Sequence, residues 1–437
     1  MIKQILDLHI HSKYSRACSK DLDLPNIARA CEIRGIDIVA TGDFTHPRWF
    51  EHMKEVLVED APGIYKLRKQ GNKETNKSQK PKTKFILGTE LSCIKKHKDK
   101  TRRVHVCVFA PSLEVVEKFN NELASRGFNL KSDGRPILGL NVKELLQIML
   151  EVDKRMIMIP AHAWTPWFGI FGSKGGYDSL EEAFEELTPH IFAIETGLSS
   201  DPIMNWRLSA LDNIALVSNS DAHSCAKLGR EANVMQFDNE EKITYDEIMR
   251  ILREQDKNKF LYTIEFYPEE GKYHYDGHRD CKFVCAPEET AKLKGICPKC
   301  KKPLVIGVEN RVYELADRSL AEVEKIKNIK IPYKSLVPLP EILANVFSCG
   351  VNTKKVKIQY NQMIEKIGTE FHILLEADLK EIEDKSSKLI ATAVDRVRRG
   401  NIFVKPGYDG EFGLVKVFTD NENRGISEQE EMELYLE

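Results

Sequence analysis

The chain has 437 residues, of which 42% are hydrophobic and 30% charged, with a net charge of −2. It is long enough for a barrel-sized domain with one or two smaller ones, and its composition is that of a folded globular protein rather than a disordered one. No apolar run approaches the ~20 residues that span a bilayer, and residues 1–12 (MIKQILDLHIHS) hold no signal-peptide core, so a cytoplasmic protein without a membrane partner is expected.

The near-neutral total excludes a uniformly basic nucleic-acid binder, but the charge is unevenly placed. Residues 66–103 carry fourteen Lys and Arg against three acids, whereas residues 420–437 are acidic. The basic stretch suits a polyanionic partner. Ten cysteines in a cytosolic chain read as thiols or metal ligands rather than disulfides.

In chain order, strand-like apolar runs fall at 5–10, 37–41, 85–89, 104–109, 156–160, 192–196 and 215–219. Amphipathic helical patterns lie between them at 24–34, 113–125, 141–152 and 179–187, the last opening on Asp178 and Ser179, good N-cap residues. Repeated strand–helix alternation points to parallel strands with helices outside. Residues 70–82 are polar and aperiodic, a surface loop. From about 256 the chain becomes rich in Tyr, Gly, Cys and Lys. Helical periodicity returns near 319 and ends near Gly400, before a short β-like segment at 401–418. Three regions follow: 1–255, 256–318 and 319–437.

The chemistry-bearing residues cluster at strand ends. His9 and His11 close the first strand, Asp43 and His46 follow the second, and Glu90 follows the third. His105 lies in the fourth, His162 follows the fifth, and Asp221 and His223 follow the last. A parallel αβ barrel gathers side chains from the C-terminal ends of its strands, so residues remote in sequence converge there. Imidazole and carboxylate are the usual ligands of Zn, Mn and Fe. Two such ions about 3.5–4 Å apart stabilise both oxygens of a phosphoryl displacement.

The order HIH, Asp after strand two, GTE, VHV, PAH and SDAH resembles the PHP (polymerase and histidinol phosphatase) family over roughly residues 1–230. The resemblance implies a distorted (β/α)7 barrel with two or three divalent metals (Zn, Mn, Mg or Fe). By analogy His9, His11, Glu90 and Asp221 hold the first metal, and Glu90, His105 and His162 the second. Either Asp43 or His46 stands beside His223 for a third. The family's usual further His or Asp near position 14 or 15 is replaced by Tyr14 and Ser15. Asp221, His223 and Glu90 are the residues expected to carry catalysis.

Cys281 and Cys285, followed by Cys297-Pro-Lys-Cys300, have structural zinc-site spacing, with His278 close enough to replace Cys281 or Cys285. Residues 339–360 read as helix, turn, helix. Their GVNTKK resembles the hairpin of helix-hairpin-helix DNA-backbone binders, in which Lys354 and Lys355 would neutralise phosphates. Arg398, before VKPGYDGEFG, is a further DNA-contact candidate.

The succession of PHP barrel, Cys ribbon, ELADR and PGYDGEFG is similar to the endonuclease Q family over almost the whole chain. That resemblance implies a DNA repair endonuclease. It would nick on the 5′ side of a deaminated base (uracil, hypoxanthine, xanthine) or an abasic site and leave a 3′-hydroxyl and a 5′-phosphate. Such an enzyme flips the base from the stack. Trp164, Trp167, Phe168 and Phe171, in the segment after His162, are candidates to receive it, with Lys174 on a phosphate. Gln429-x-x-Met432-x-x-Tyr435-Leu436 resembles the short peptide that binds the sliding clamp. Two rival readings are a PHP phosphoesterase of small phosphate monoesters and a DNA-binding scaffold with an inactive barrel.

Overall fold

The computed structural model describes residues 1–68, 82–98, 100–419 and 422. The sliding-clamp motif, nearly all of the acidic tail and all of the 70–82 loop except Lys82 lie outside the described residues. The chain divides into two compact units. The first comprises Met1–Glu32, Ile36–Glu265 and Gly307–Tyr333, and the second Ile33–Gly35, Phe266–Ile306 and Lys334–Glu437.

The first unit is mixed α/β. Its strands are β1 (Ile2–Asp7), β2 (Ile38–Ala40), β3 (Leu57–Ala61), β4 (Ile64–Leu67), β5 (Lys84–Ile86), β6 (Gly88–His97), β7 (Lys100–Phe109), β8 (Ile137–Leu138), β9 (Ile157–Pro160), β10 (Ala193–Glu195), β11 (Ala215–Val217), β12 (Ala232–Phe237) and β13 (Phe260–Glu265). The parallel core is β1–β2–β5, in register at Leu6↔Ile38 and Val39↔Phe85. On one side β12 and β13 continue it antiparallel, and on the other the β3–β4 hairpin does. A separate sheet runs β8–β6–β7–β9, and β10 pairs with β11 in parallel.

Two expectations are corrected. The run at 85–89 is not one strand. The chain breaks at Leu87 and passes from the first sheet into the second. Nor are all strands parallel, for β7 runs antiparallel to both β6 and β9. The physical reason is the connection: β6 and β7 share a ladder from Gly88↔Phe109 to His97↔Lys100, a direct hairpin, whereas parallel neighbours need a crossover. Among the described residues the ladders form no closed ring. The strands β12 and β13 were missed because both are short and largely buried on both faces, which erases the alternating signal.

The helices follow their patterns closely. Leu24–Arg34 buries Leu24, Ile27, Ala28 and Cys31 along one stripe. Val142–Val152 starts from a capping box in which Asn141 and Glu144 satisfy each other's backbone N–H. The expected helix at 179–187 is α-helical only over Leu180–Phe184. Glu185 takes φ 51° and the chain tightens into a 3₁₀ turn that holds Pro189. The segment 307–333, which the sequence divides between the insert and the C-terminal region, belongs to the first unit. From its helix Val308–Leu315, Arg311 donates Nε to the Phe171 carbonyl (3.0 Å) and Nη2 to that of Tyr177 (3.2 Å).

The second unit holds a small hairpin, Asp276–His278 against Phe283–Cys285. Its helices include Leu339–Val346, Lys354–Lys366, Glu370–Leu375, Leu379–Lys385 and Lys388–Arg398, and a second hairpin pairs Phe403–Lys405 with Leu414–Lys416.

Where β10, β11 and β13 end, Glu265 ties them together. Its Oε2 accepts from the Thr196 and Ser218 hydroxyls, each at 3.0 Å, and its Oε1 from the Thr263 hydroxyl. Burial pushes the carboxyl up to about 7, against the lowering pull of those three hydroxyls. A folded-state value above the unfolded one means that the native chain binds the proton more tightly. The group's contribution to stability is therefore present at low pH and lost as pH rises toward 7. Glu265→Gln should remove that part of the decline, measured as thermal stability at pH 5 and at pH 8. An unchanged pH dependence in the variant would show that Glu265 does not titrate this way.

Candidate functional site

Ligand-type side chains reach one place because the strands end around it. His9 and His11 lie just past β1, held by an Ile10–Ala222 bridge and by the His11 N–H to the Ala222 carbonyl (3.1 Å). Glu90 and His105 sit on β6 and β7, and Asp43, His162 and Asp221 follow β2, β9 and β11. Those last three residues adopt φ of 48°, 30° and 45°, a region uncommon outside glycine but accessible to Asp and His. Beside His162 the chain leaves room only for glycine: a Cβ on Gly197 would stand 2.6 Å from the His162 Cβ.

Two sets of donor atoms, each lying within 4.8 Å, form around Glu90. One is His9, His11, Glu90 and Asp221, and the other Glu90, His105 and His162. The Glu90 Oε2 is 3.1 Å from His11 Nε2, while its Oε1 is 2.8 Å from His105 Nδ1 and 3.0 Å from His162 Nε2. His9 Nε2 is buried without a hydrogen bond, its nearest carboxylate oxygens on Glu90 and Asp221 both at 3.6 Å. Burial works against charge on Glu90, but His105, Arg135 and His9 hold its carboxyl well below the usual range. Burial lowers His105 to about 4, so it is neutral at pH 7, the form that ligates.

The donor chemistry fits divalent metals. Asp43, Glu90 and Glu195 are fully buried and Asp221 is partly so, yet among the described residues the one arginine paired with any of these four carboxylates is Arg135, 2.8 Å from Glu90 Oε2. Buried carboxylates require compensating cations.

A surrounding layer orients these groups. Glu195 accepts from the His162 N–H (2.7 Å) and the Asn219 amide (2.8 Å), and its two oxygens lie 3.0 and 3.1 Å from His9 Nδ1. Neither Glu195 nor Arg135 was identified from sequence. Glu195 closes β10 as a strand-end acid, the same signal that marked Glu90, whereas nothing in the DGRP segment singles out Arg135. A Cβ on Gly134 would fall 2.1 Å from Asp43 Oδ2, so glycine there lets the backbone pass close enough to present Arg135.

Asp43, His46 and His223 join neither set. Asp43 Oδ2 already accepts from the Ser12 N–H and hydroxyl and the Ser15 hydroxyl, and its Oδ1 is 3.2 Å from His11 Nδ1. It orients His11. Of the two alternatives for a third ion, His46 keeps its Nδ1 without a partner as it stacks on Tyr14 (4.3 Å). His223 Nδ1 donates to the Asp221 carbonyl (2.9 Å).

Beside the two sets opens a cavity of about 270 Å³ lined by His105, Arg135, His162, Trp167, Phe168, Asp221 and neighbours. Trp167 is 54% exposed, and Phe168 stacks on His105 at 4.2 Å. The other two aromatic candidates are core residues. Trp164 is buried with its indole N–H on Asn205 (2.8 Å), and Phe171 packs against it. Lys174 is exposed.

In the second unit the four-cysteine expectation is corrected. The atoms that converge within 4.8 Å belong to His278, Cys281, Cys297 and Cys300. Cys285 Sγ instead lies 3.2 Å from the Thr290 hydroxyl, in a small core with Cys297 and Leu304. Three thiols and an imidazole still fit zinc. Lys354 and Lys355 are exposed at the start of their helix, but the left-handed residue of the preceding turn is Ser348 (φ 49°), not Asn352. Arg398 is withdrawn as a DNA contact: its guanidinium donates to the carbonyls of Ile373, Leu374 and Ala377.

Residues 338–401 match the family described as the MJ0043 C-terminal domain. The uncharacterized protein MJ0043 of Methanocaldococcus jannaschii is 31% identical over 256 residues, 58% of this chain but 31% of that protein's length. The uncharacterized protein YqxK of Bacillus subtilis (strain 168) is 29% identical over 427 residues, 95% of this chain and 100% of that one. A crystal structure of endonuclease Q with a 27-mer duplex substrate carrying an abasic lesion at its active site superposes with a TM-score of 0.80 at 30% identity, covering 96% and 98% of the two chains. The lesion-specific endonuclease PfuEndoQ of Pyrococcus furiosus superposes with a TM-score of 0.81. With 30% identity to PfuEndoQ across 95% of both chains, this chain belongs to the endonuclease Q family.

Proposed function

We propose that the chain hydrolyses the DNA phosphodiester on the 5′ side of a deaminated base (uracil, hypoxanthine or xanthine) or an abasic site, leaving a 3′-hydroxyl and a 5′-phosphate. The observation that carries this reading is Glu90, buried, with a separate set of imidazoles at each of its oxygens. With such a carboxylate, His9, His11, Glu90 and Asp221 would hold one divalent ion and Glu90, His105 and His162 a second. The fold that goes with it is the distorted (β/α)7 barrel, its strands divided among three sheets.

Two divalent metals, when bound, supply the Lewis acidity for water activation and for the charge on the attacking and leaving oxygens. The chain's own groups do the rest. Asp221, at the cavity mouth with its side chain 26% exposed, takes the proton of the attacking water. Arg135 neutralises charge on the phosphate from the same wall. Glu195 fixes the His9 ring through Nδ1, so that Nε2 faces the ions. The cavity receives the flipped nucleotide, with Trp167 the aromatic surface that remains free to stack on a base.

End-labelled duplexes, each with one uracil, hypoxanthine or abasic site, should be nicked 5′ of the lesion when Mn or Mg is present, and Asp221→Asn should reduce the nick to background. Equal cleavage by that variant would remove Asp221 from the reaction, and turnover of small phosphate esters alone would transfer the activity to monoester substrates. Glu195→Gln should weaken metal affinity by about 10–100-fold, read by metal titration of the folded protein. In the second unit, elemental analysis should find one zinc per chain retained in Cys285→Ser and lost in Cys297→Ser. Loss in both variants would restore the four-thiolate arrangement.

A further inference from the structure

The basic stretch at 66–103 acquires a direction from the β6–β7 ribbon. In an antiparallel pair, residues directly opposite share a face and alternate residues along each strand follow them. The register places Glu90 with Cys107, Ser92 with His105, Ile94 with Arg103 and Lys96 with Thr101. The face that carries Glu90 and His105 therefore continues outward as Arg103 and then Lys96, with exposed Lys98 in the turn beyond.

The opposite face carries Lys95, His97, Lys100 and Arg102, and all but the exposed Lys100 have an acidic partner. Lys95 pairs with Glu144, Arg102 with Glu182, and His97 lies 3.3 Å from Glu185. Arg103, Lys96 and Lys98 have no acidic partner among the described residues. Arg103 is also fixed from its other side, its N–H donating to the Gly175 carbonyl at 3.0 Å. At two residues per step, Arg103 and Lys96 stand roughly 7 and 14 Å along the ribbon from His105. That second distance spans about four nucleotides of one duplex strand.

We propose that this face of the ribbon binds the DNA backbone as it leaves the reaction centre, with Arg103 and Lys96 neutralising phosphates near the scissile bond. The inference rests on the DNA-hydrolysis reading and adds where the flanking duplex lies. Solvated lysines would be scattered over both faces. Here every cation of the opposite face except Lys100 is paired, whereas neither Arg103 nor Lys96 is, on the face that holds Glu90 and His105.

The test is binding of the full-length, metal-loaded protein to a fluorescent undamaged duplex across a salt series. Lys96→Ala/Arg103→Ala should weaken binding about tenfold and make the slope of log affinity against log salt shallower by about 2. Lys95→Ala/Lys100→Ala, with the same charge change on the opposite face, should keep the wild-type slope, as should Arg103→Lys. Thermal melting checks that each variant is folded. If the two double variants give the same slope, the effect is net charge alone and the ribbon track is wrong. If the wild type binds no duplex, the DNA-hydrolysis reading fails and takes the track with it.

Discussion

Asp43, Glu90 and Glu195 are sealed in the interior of the first unit with Asp221 at its edge, and holding those charges out of water is the constraint to which the site answers. An isolated carboxylate in such a place costs several kcal/mol even after relaxation. Part of the compensation is built in: serine and backbone donors on Asp43, an amide and a backbone N–H on Glu195, and one arginine on Glu90. The rest falls to imidazoles. Burial opposes charge on all three, but Cys107, Glu195 and Glu90 raise His9, and Asp221, Asp43 and Glu90 raise His11, well above the usual range, whereas burial keeps His105 neutral. Divalent ions would take over the same balancing role and release those protons, so the pocket's electrostatics and its metal affinity are one property.

That demand shapes the backbone. A parallel strand offers its end to a site once, but an antiparallel ribbon offers a length. By leaving the parallel sheet at Leu87 and doubling back, the chain puts Glu90 and His105 on adjacent strands of one face, two residues out of direct register. The same departure is one of the places where the ladders are interrupted, the separate β10–β11 pair being another. The irregularity therefore has a local cause, since a strict crossover after β6 would have taken His105 to a different strand position altogether.

Sequence revealed the clustered donor residues better than it revealed their supports. His9, His11, His105, His162 and Asp221 were legible because side chains of one chemistry recurred at the ends of apolar runs, a pattern that needs no tertiary knowledge. Asp43 carried the same signal and stood as an alternative to His46 for a third ion, because a carboxylate beside a metal ligand and a carboxylate on a metal look alike in one dimension. Cys285 failed similarly: spacing marks it as a knuckle residue, but Thr290, five residues on, holds its thiol, and His278 takes the place in the cluster. Arg398 was read from charge alone, and three helix-end carbonyls claim it. Arg135 left no trace, because its position depends on Gly134 passing against Asp43, a contact between segments ninety-one positions apart.

The substrate-side wall follows the same logic. The segment after His162 supplies two aromatic residues to the core and two to the cavity, and its composition alone cannot divide them. The division comes from anchors distant in sequence. Asn205 draws Trp164 inward through its indole N–H, and the His105 N–H donates to the Phe168 carbonyl while the two rings stack. Arg311, 140 residues beyond Phe171, closes the far end of the loop by taking the carbonyls of Phe171 and Tyr177. With both ends fixed, Trp167 is left outward at 54% exposure, on a wall shared with His105 and His162. A cavity of about 270 Å³ beside two small metal-ligand sets is more than a phosphate alone would fill. An exposed indole at its lip is of use to a substrate with a flat face to stack, which favours a nucleotide over a simple phosphate ester.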